Sequence, residues 1–161
     1  MSGGTIAHSR ICKNLTRRID EQLDGKSCEV FESNLRLKIK ATGLRTYPDA
    51  SVYCGPIERD EEDTDGETYT NPTAIFEILS KTTEAYDRGF KASNYRQIAT
   101  LRAYVFIAQS EPHAEIYERQ PDNSWVLREV RGLESTLAVP PIAVELRLAE
   151  LYARVDFTAA Q

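Results

Sequence analysis

The sequence predicts a domain of mixed α and β structure, and three observations predict it. A row of apolar residues at helical spacing, Ile11, Leu15, Ile19 and Leu23, opens the chain. Short β-branched runs follow, the clearest being Ala74 to Leu79, bounded by Pro72 and by polar residues. After that run comes a second helical stretch, in which Lys91 and Tyr95 stand four apart and so share a face. With 161 residues, 41% apolar and 28% charged, the chain fits one soluble domain over residues 1–161 with a core of its own.

In chain order, a helix is expected from about Thr5 to Leu23, stopped by Gly25. Arg10, Lys13, Arg17 and Arg18 read as its solvated face. His8, one turn before Ile11 and Cys12, reads from spacing alone as a hydrogen-bonded or solvated histidine at a helix start. Cys28 to Phe31 and Leu35 to Ile39 read as strands. The alternation Leu35-Arg36-Leu37-Lys38-Ile39 predicts one buried face and one wet face. Glu32 between them is a surface acid. Tyr47 to Tyr53 reads as a strand in which Pro48 is tolerated near the start. Ala74 to Leu79 reads as a strand buried on both faces. A helix is expected to begin near Asp87, with Asp87 as its cap. Arg102 to Ile107 gives another strand. Ala114 to Glu118 and Trp125 to Val130 form a hairpin about Pro121-Asp122-Asn123. Pro140-Pro141 breaks the chain, and Leu146 to Val155 closes it as an amphipathic segment.

The net charge is −5, and its source is local. Residues 58–67 hold seven acids and Arg59, a net of −6, which leaves the rest of the chain at +1. This segment is expected to be a solvated loop. Three cysteines, Cys12, Cys28 and Cys54, have no C-x-x-C spacing, and their odd count without a signal peptide suggests a reducing cytoplasm. No stretch is long and apolar enough to span a membrane. Two histidines, His8 and His113, argue against a multi-histidine zinc site.

Chemistry gathers around Glu77. A carboxylate in the middle of a buried strand has left water, at a cost of several kcal/mol unless a cation or donors meet it. Asp49 stands at the start of the Tyr47 to Tyr53 strand. Two carboxylates brought together repel, so a metal-free site is expected to be strained and a divalent cation to be welcome. Plainer readings stand beside this one: Asp87 as a cap, Lys91 as a surface lysine, Tyr95 as a core aromatic.

Three stretches, P-D-A-S-V-Y-C-G from Pro48, I-F-E-I-L-S-K-T-T-E-A-Y-D-R-G-F-K-A-S-N-Y from Ile75, and R-A-Y-V-F-I-A-Q from Arg102, resemble the putative restriction endonuclease family of bacteria, within the PD-(D/E)XK nuclease superfamily. The resemblance covers nearly the whole chain. It implies a mixed sheet flanked by helices, and a Mg2+ site, with Mn2+ as the alternative ion. Asp49, Glu77 and the backbone carbonyl of Ile78 would bind the ion. The superfamily places lysine two residues after the strand glutamate, where this chain has Leu79. The family supplies the lysine from the helix, here Lys91, with Lys81 the weaker candidate. Tyr95, His8, Asp87 and Gln109 are supporting candidates, although Ala108 stands where the family often has Asp or Ser. DNA is the implied substrate and hydrolysis of its phosphodiester bonds the implied reaction. A binding or regulatory module without activity is the alternative. Relatives carry a helix and a hairpin before the position of Met1 to Gly4. A shortened start would expose a sheet edge and favour a homodimer.

Overall fold

The structure is a computed structural model and describes residues 4–64 and 66–158. Helix α1 (Ile6–Leu23) begins at Thr5, whose hydroxyl accepts from the His8 N–H at 3.0 Å. Gly25, at φ 74°, turns the chain out of it. Strands β1 (Cys28–Phe31), β2 (Arg36–Lys38), β3 (Arg45–Thr46), β4 (Ala50–Cys54), β5 (Thr68–Tyr69) and β6 (Ala74–Leu79) follow. A helical run comes next: α2 (Glu84–Tyr86), a π turn (Asp87–Lys91) and α3 (Ala92–Tyr95). Then come β7 (Ala103–Ala108), β8 (His113–Arg119), β9 (Trp125–Arg131), β10 (Thr136–Val139), a 3-10 turn (Pro140–Ile142), β11 (Val144–Arg147) and α4 (Leu148–Leu151).

Six strands form one mixed sheet in the order β1-β4-β6-β7-β8-β9, flanked by helices. Within this sheet, among the described residues, β6 and β7 are the one parallel pair; the crossover between them is the helical run that carries Lys91. Strand β6 is buried at every position, as its continuous apolar run predicts. Its alternation sorts the two sides of the sheet. Ala74, Phe76 and Ile78 pack with Ile11, Leu15, Ile19 and Leu23 of α1. Ile75 and Leu79 pack with Ala92, Tyr95, Leu37 and Tyr104 on the other side. Glu77 therefore points into the layer that α3 covers.

Several expectations need correction. Asp87 is not the helix's N-cap: the helical run starts at Glu84, and Asp87 lies inside it, closing α2 and opening the π turn. Within the segment 58–67, Asp60 and Asp63 dock the chain against β2 rather than leaving it loose. Asp60 and Asp63 are buried. Asp60 and Glu62 receive the Lys38 ammonium at 3.1 and 2.7 Å, and Asp63 receives Arg36 at 3.0 Å. Beyond it, β5 joins β2 in a small sheet ordered β3-β2-β5. The two-faced reading of Leu35 to Ile39 fails for the same reason. Lys38, placed on the wet face, is buried because two carboxylates meet it there. Cys28 and Cys54 are not free thiols. They stand opposite each other in the antiparallel β1–β4 register and form a disulfide. The inference from cysteine usage to a reducing compartment falls with it. Leu146 and Arg147 belong to β11, paired with β10, so only α4 of the closing segment is helical. Met1 to Gly3, part of the expected truncated start, lie outside the described residues. Among the described strands, β1 and β9 are the sheet edges. No helix among the described residues is long and apolar enough to cross a membrane.

Candidate metal and nuclease site

The site is built on the end of β6. Glu77 is 3% exposed, and its neighbours come from the crossover that follows the strand. Lys91 Nζ donates to Glu77 Oε2 at 2.6 Å, and Tyr95 OH donates to Glu77 Oε1 at 3.2 Å. Asp87 Oδ1 lies 3.5 Å from the same ammonium. The π turn spans Asp-Arg-Gly-Phe-Lys, and π turns recur at functional sites because they rotate side chains out of ordinary helical register. Here Asp87, Lys91 and Tyr95 all reach the buried layer around Glu77.

Asp49 directly precedes β4, which pairs with β6. Its Oδ2 accepts the backbone N–H of Ile78 at 2.8 Å, which fixes the carboxylate beside the residue after Glu77. Its Oδ1 faces His8 Nε2 at 3.3 Å. His8 comes from the first turn of α1, so the start of that helix meets the start of β4 over the sheet.

The electrostatics follow from burial. Burial pushes Glu77 up to about 8; the Lys91 ammonium opposes this, and the charges of Asp49 and Asp87 add to it. For Lys91, burial acts downward, but the charge and hydrogen bond of Glu77, with Asp87 and Asp49, outweigh it and the net shift is upward. Burial raises Asp87 despite Lys91, and it holds Tyr95 well above its ordinary value beside Glu77. His8 is raised to about 10, chiefly by its hydrogen bond to Asp49 and then by Cys12, so it is a cation at neutral pH.

Of the residues singled out in the sequence, Asp49, Glu77, Lys91, Tyr95, Asp87 and His8 come together, and Ile78 joins them through its N–H. Gln109 does not reach this group in its hydrogen bonding. Its amide donates to the Thr5 hydroxyl at 2.5 Å, so it secures the start of α1. Lys81 is exposed and lines a cleft of about 260 Å³ with Thr5, Ser80, Ala108 and Gln109 at the ends of β6 and β7. The expectation of two carboxylates left without a cation is also corrected: Lys91 meets Glu77 and His8 meets Asp49. Cys12 was not singled out, yet its Sγ lies 3.6 Å from His8 Nδ1. The signal was present, since His8 and Cys12 are four apart on one helix.

The chain matches the putative restriction endonuclease family (Uma2) over residues 1–150. It belongs to that family. Two uncharacterized proteins of Synechocystis sp. are similar to it. Protein slr1290 is 36% identical over 127 residues, 79% of this chain and 65% of that protein. Protein sll1609 is 31% identical over 134 residues, 82% of this chain and 73% of that protein. The chain thus spans about two thirds to three quarters of the length of these relatives. A solved structure of a putative nuclease belonging to DUF820 from Anabaena variabilis superposes with a TM-score of 0.74. It is 19% identical and covers 95% of this chain and 83% of that one, a likeness of fold.

Proposed function

We propose that this family member is a divalent-metal-dependent endonuclease acting on DNA, with Asp49, Glu77 and Lys91 as its central residues. The observation that carries the reading is the convergence on Glu77: a buried strand carboxylate, a helix lysine and a helix tyrosine, with Asp49 anchored one residue away through Ile78. Family membership supports the nuclease class.

The donor set suits magnesium or manganese. The Asp49 and Glu77 carboxylates and the Ile78 carbonyl are hard oxygens, and the Asp49 charge already works against ionisation of Glu77, so a dication relieves both. When bound, the ion would acidify a water and offset charge on the phosphate oxygens. Lys91, cationic in its buried setting, supplies a fixed positive charge for the attacking water or for the negative charge that develops on the phosphate. Tyr95 and Asp87 hold Lys91 and Glu77 in one orientation. His8 orients Asp49. Binding to the polyanionic backbone weakens as salt rises.

The test is nicking of supercoiled plasmid with Mg2+ and with EDTA. The wild type nicks only with metal, Glu77→Gln and Lys91→Ala abolish nicking, and Lys81→Ala keeps it. Activity lost in Lys81→Ala and kept in Lys91→Ala would overturn the lysine assignment. One observation favours a second reading, a DNA-binding module without hydrolysis: Lys91 sits directly on Glu77. DNA binding without nicking under any metal would support it.

A further inference from the structure

On the other side of Asp49 lies a donor set of different chemistry. His8 Nε2 is 3.3 Å from Asp49 Oδ1, and Cys12 Sγ is 3.6 Å from His8 Nδ1 and 4.0 Å from His8 Nε2. One ligand atom from each residue can be chosen so that all three lie within 4.8 Å of one another. We propose that His8, Cys12 and Asp49 form a binding site for a thiophilic divalent cation of the Zn2+ class, and that its occupancy withdraws Asp49 from the hard-oxygen site and switches the enzyme off. The second half rests on the function proposed above; the first half does not.

Zinc holds sulfur at about 2.3 Å and imidazole nitrogen or carboxylate oxygen at about 2.0–2.2 Å, so tetrahedral ligand pairs lie about 3.4–3.6 Å apart. The His8–Asp49 pair, at 3.3 Å through Nε2, is within about 0.1 Å of that separation. Cys12 Sγ has to close by about 0.4 Å on His8 Nε2 and by up to about 1.2 Å on the Asp49 oxygen, a movement that a side-chain rotation supplies. His8 and Cys12 are held one turn apart on α1, whose first turn the Thr5 cap fixes and whose Ile11 and Leu15 are fully buried. The side chains of His8 and Asp49 keep 25% and 18% of their exposure, which leaves an approach for the ion and a fourth ligand from solvent. Cys12 is the free thiol of the chain, since Cys28 and Cys54 are bonded to each other.

Selectivity follows from the sulfur. Thiolate and imidazole prefer Zn2+ or Co2+, whereas Mg2+ takes oxygen ligands. Exclusivity follows from the carboxylate. Asp49 Oδ2 is engaged by the Ile78 N–H, so Oδ1 is the oxygen that either ion would use. An ion held by His8 and Cys12 on Oδ1 leaves the Mg2+ site with one carboxylate fewer. Binding releases the Cys12 thiol proton and the proton shared by His8 and Asp49 to solvent.

Cobalt is the probe for the site, because its spectrum reports a thiolate ligand without any need for activity. Co2+ added to the full chain at one equivalent is expected to give a thiolate-to-cobalt charge-transfer band and visible bands of four-coordinate cobalt, both removed by Zn2+. Cys12→Ala is expected to lose the charge-transfer band. Cys12→Val, which fills the same half-buried space, is expected to lose it too, so a folding defect in one variant does not decide the result. Equimolar Zn2+ is expected to suppress Mg2+-dependent nicking at least 10-fold in the wild type and to have little effect in Cys12→Val. A cobalt spectrum without a thiolate band, or one shared by wild type and both variants, overturns the site. Zinc that binds but leaves nicking unchanged, or suppresses it equally in Cys12→Val, overturns the switch. If the wild type does not nick even without zinc, the nuclease reading has failed, and the cobalt spectrum still decides the site.

Discussion

Replacing Lys91 by methionine removes the one ammonium that meets Glu77 and keeps most of its volume. Glu77 is 3% exposed and Lys91 7%, so the pair has left water almost completely. Even with Lys91 present, burial raises Glu77 from its ordinary 4.5 to about 8. The folded state therefore holds a proton that the unfolded state has released, and stability falls as pH rises from about 4.5 to 8. Without Lys91 the burial and the charges of Asp49 and Asp87 remain with no counterweight, so Glu77 rises further and the decline extends above pH 8. Where Glu77 would be ionised, losing its partner costs about 3–5 kcal/mol. Near pH 5, where Glu77 is protonated in both proteins, the cost nearly vanishes. For a chain of this length, thermal melts should show Lys91→Met lower by roughly 10 °C at pH 9 and close to the wild type at pH 5. Glu77→Gln combined with Lys91→Met should recover most of the loss and flatten the pH dependence. A deficit equal at both pH values, or one the double variant does not repair, would refute the electrostatic reasoning and leave Lys91 as a packing residue.

Other expectations follow from the same contacts. Asp49→Asn should cost about 2 kcal/mol, since one oxygen can still accept the Ile78 N–H but an uncharged amide NH2 donor then faces the charged His8 imidazole in place of Oδ1. The contribution of the His8–Asp49 pair is complete below pH 6.5 and lost as pH rises towards the His8 value of about 10, so Asp49→Asn should flatten the denaturant-stability profile between those limits. Reduction of the Cys28–Cys54 bridge, or Cys54→Ala, should lower stability by about 3.5 kcal/mol on a chain-entropy account of a 26-residue separation, read by urea titration. Deleting residues 60–66 should lower Tm clearly, because Lys38 is left buried without its carboxylates; an unchanged Tm would mean that the segment is not docked.

Much of the arrangement is legible in the sequence, and the rest is hidden for identifiable reasons. Ala74 to Leu79 is a strand at those bounds, because an apolar run with β-branched residues between turn formers leaves little choice. The row from Ile11 to Leu23 is the buried face of α1. Asp49, Glu77 and Lys91 could be singled out because a carboxylate at the entry of one strand, a carboxylate inside a buried strand and a following helix lysine form a chemical pattern, sharpened by the family resemblance. The π turn leaves no trace in spacing, since five residues hold less than one and a half helical turns. The pairs Lys38–Asp60, Arg36–Asp63 and Cys28–Cys54 depend on strand register across more than twenty residues, and no local pattern encodes that. Charge density in residues 58–67 argued for a solvated loop, but composition does not reveal that β2 offers basic partners to those acids.

The account rests on a divalent ion shared by Asp49 and Glu77. A crystal of the full chain soaked in Mn2+, with anomalous data collected at the manganese edge, tests this most directly. The account predicts a strong peak bound by carboxylate oxygens of both residues, with Lys91 Nζ moved off Glu77 Oε2, and no peak in Glu77→Gln. Empty density there at saturating Mn2+, with the Lys91–Glu77 pair intact, would contradict it.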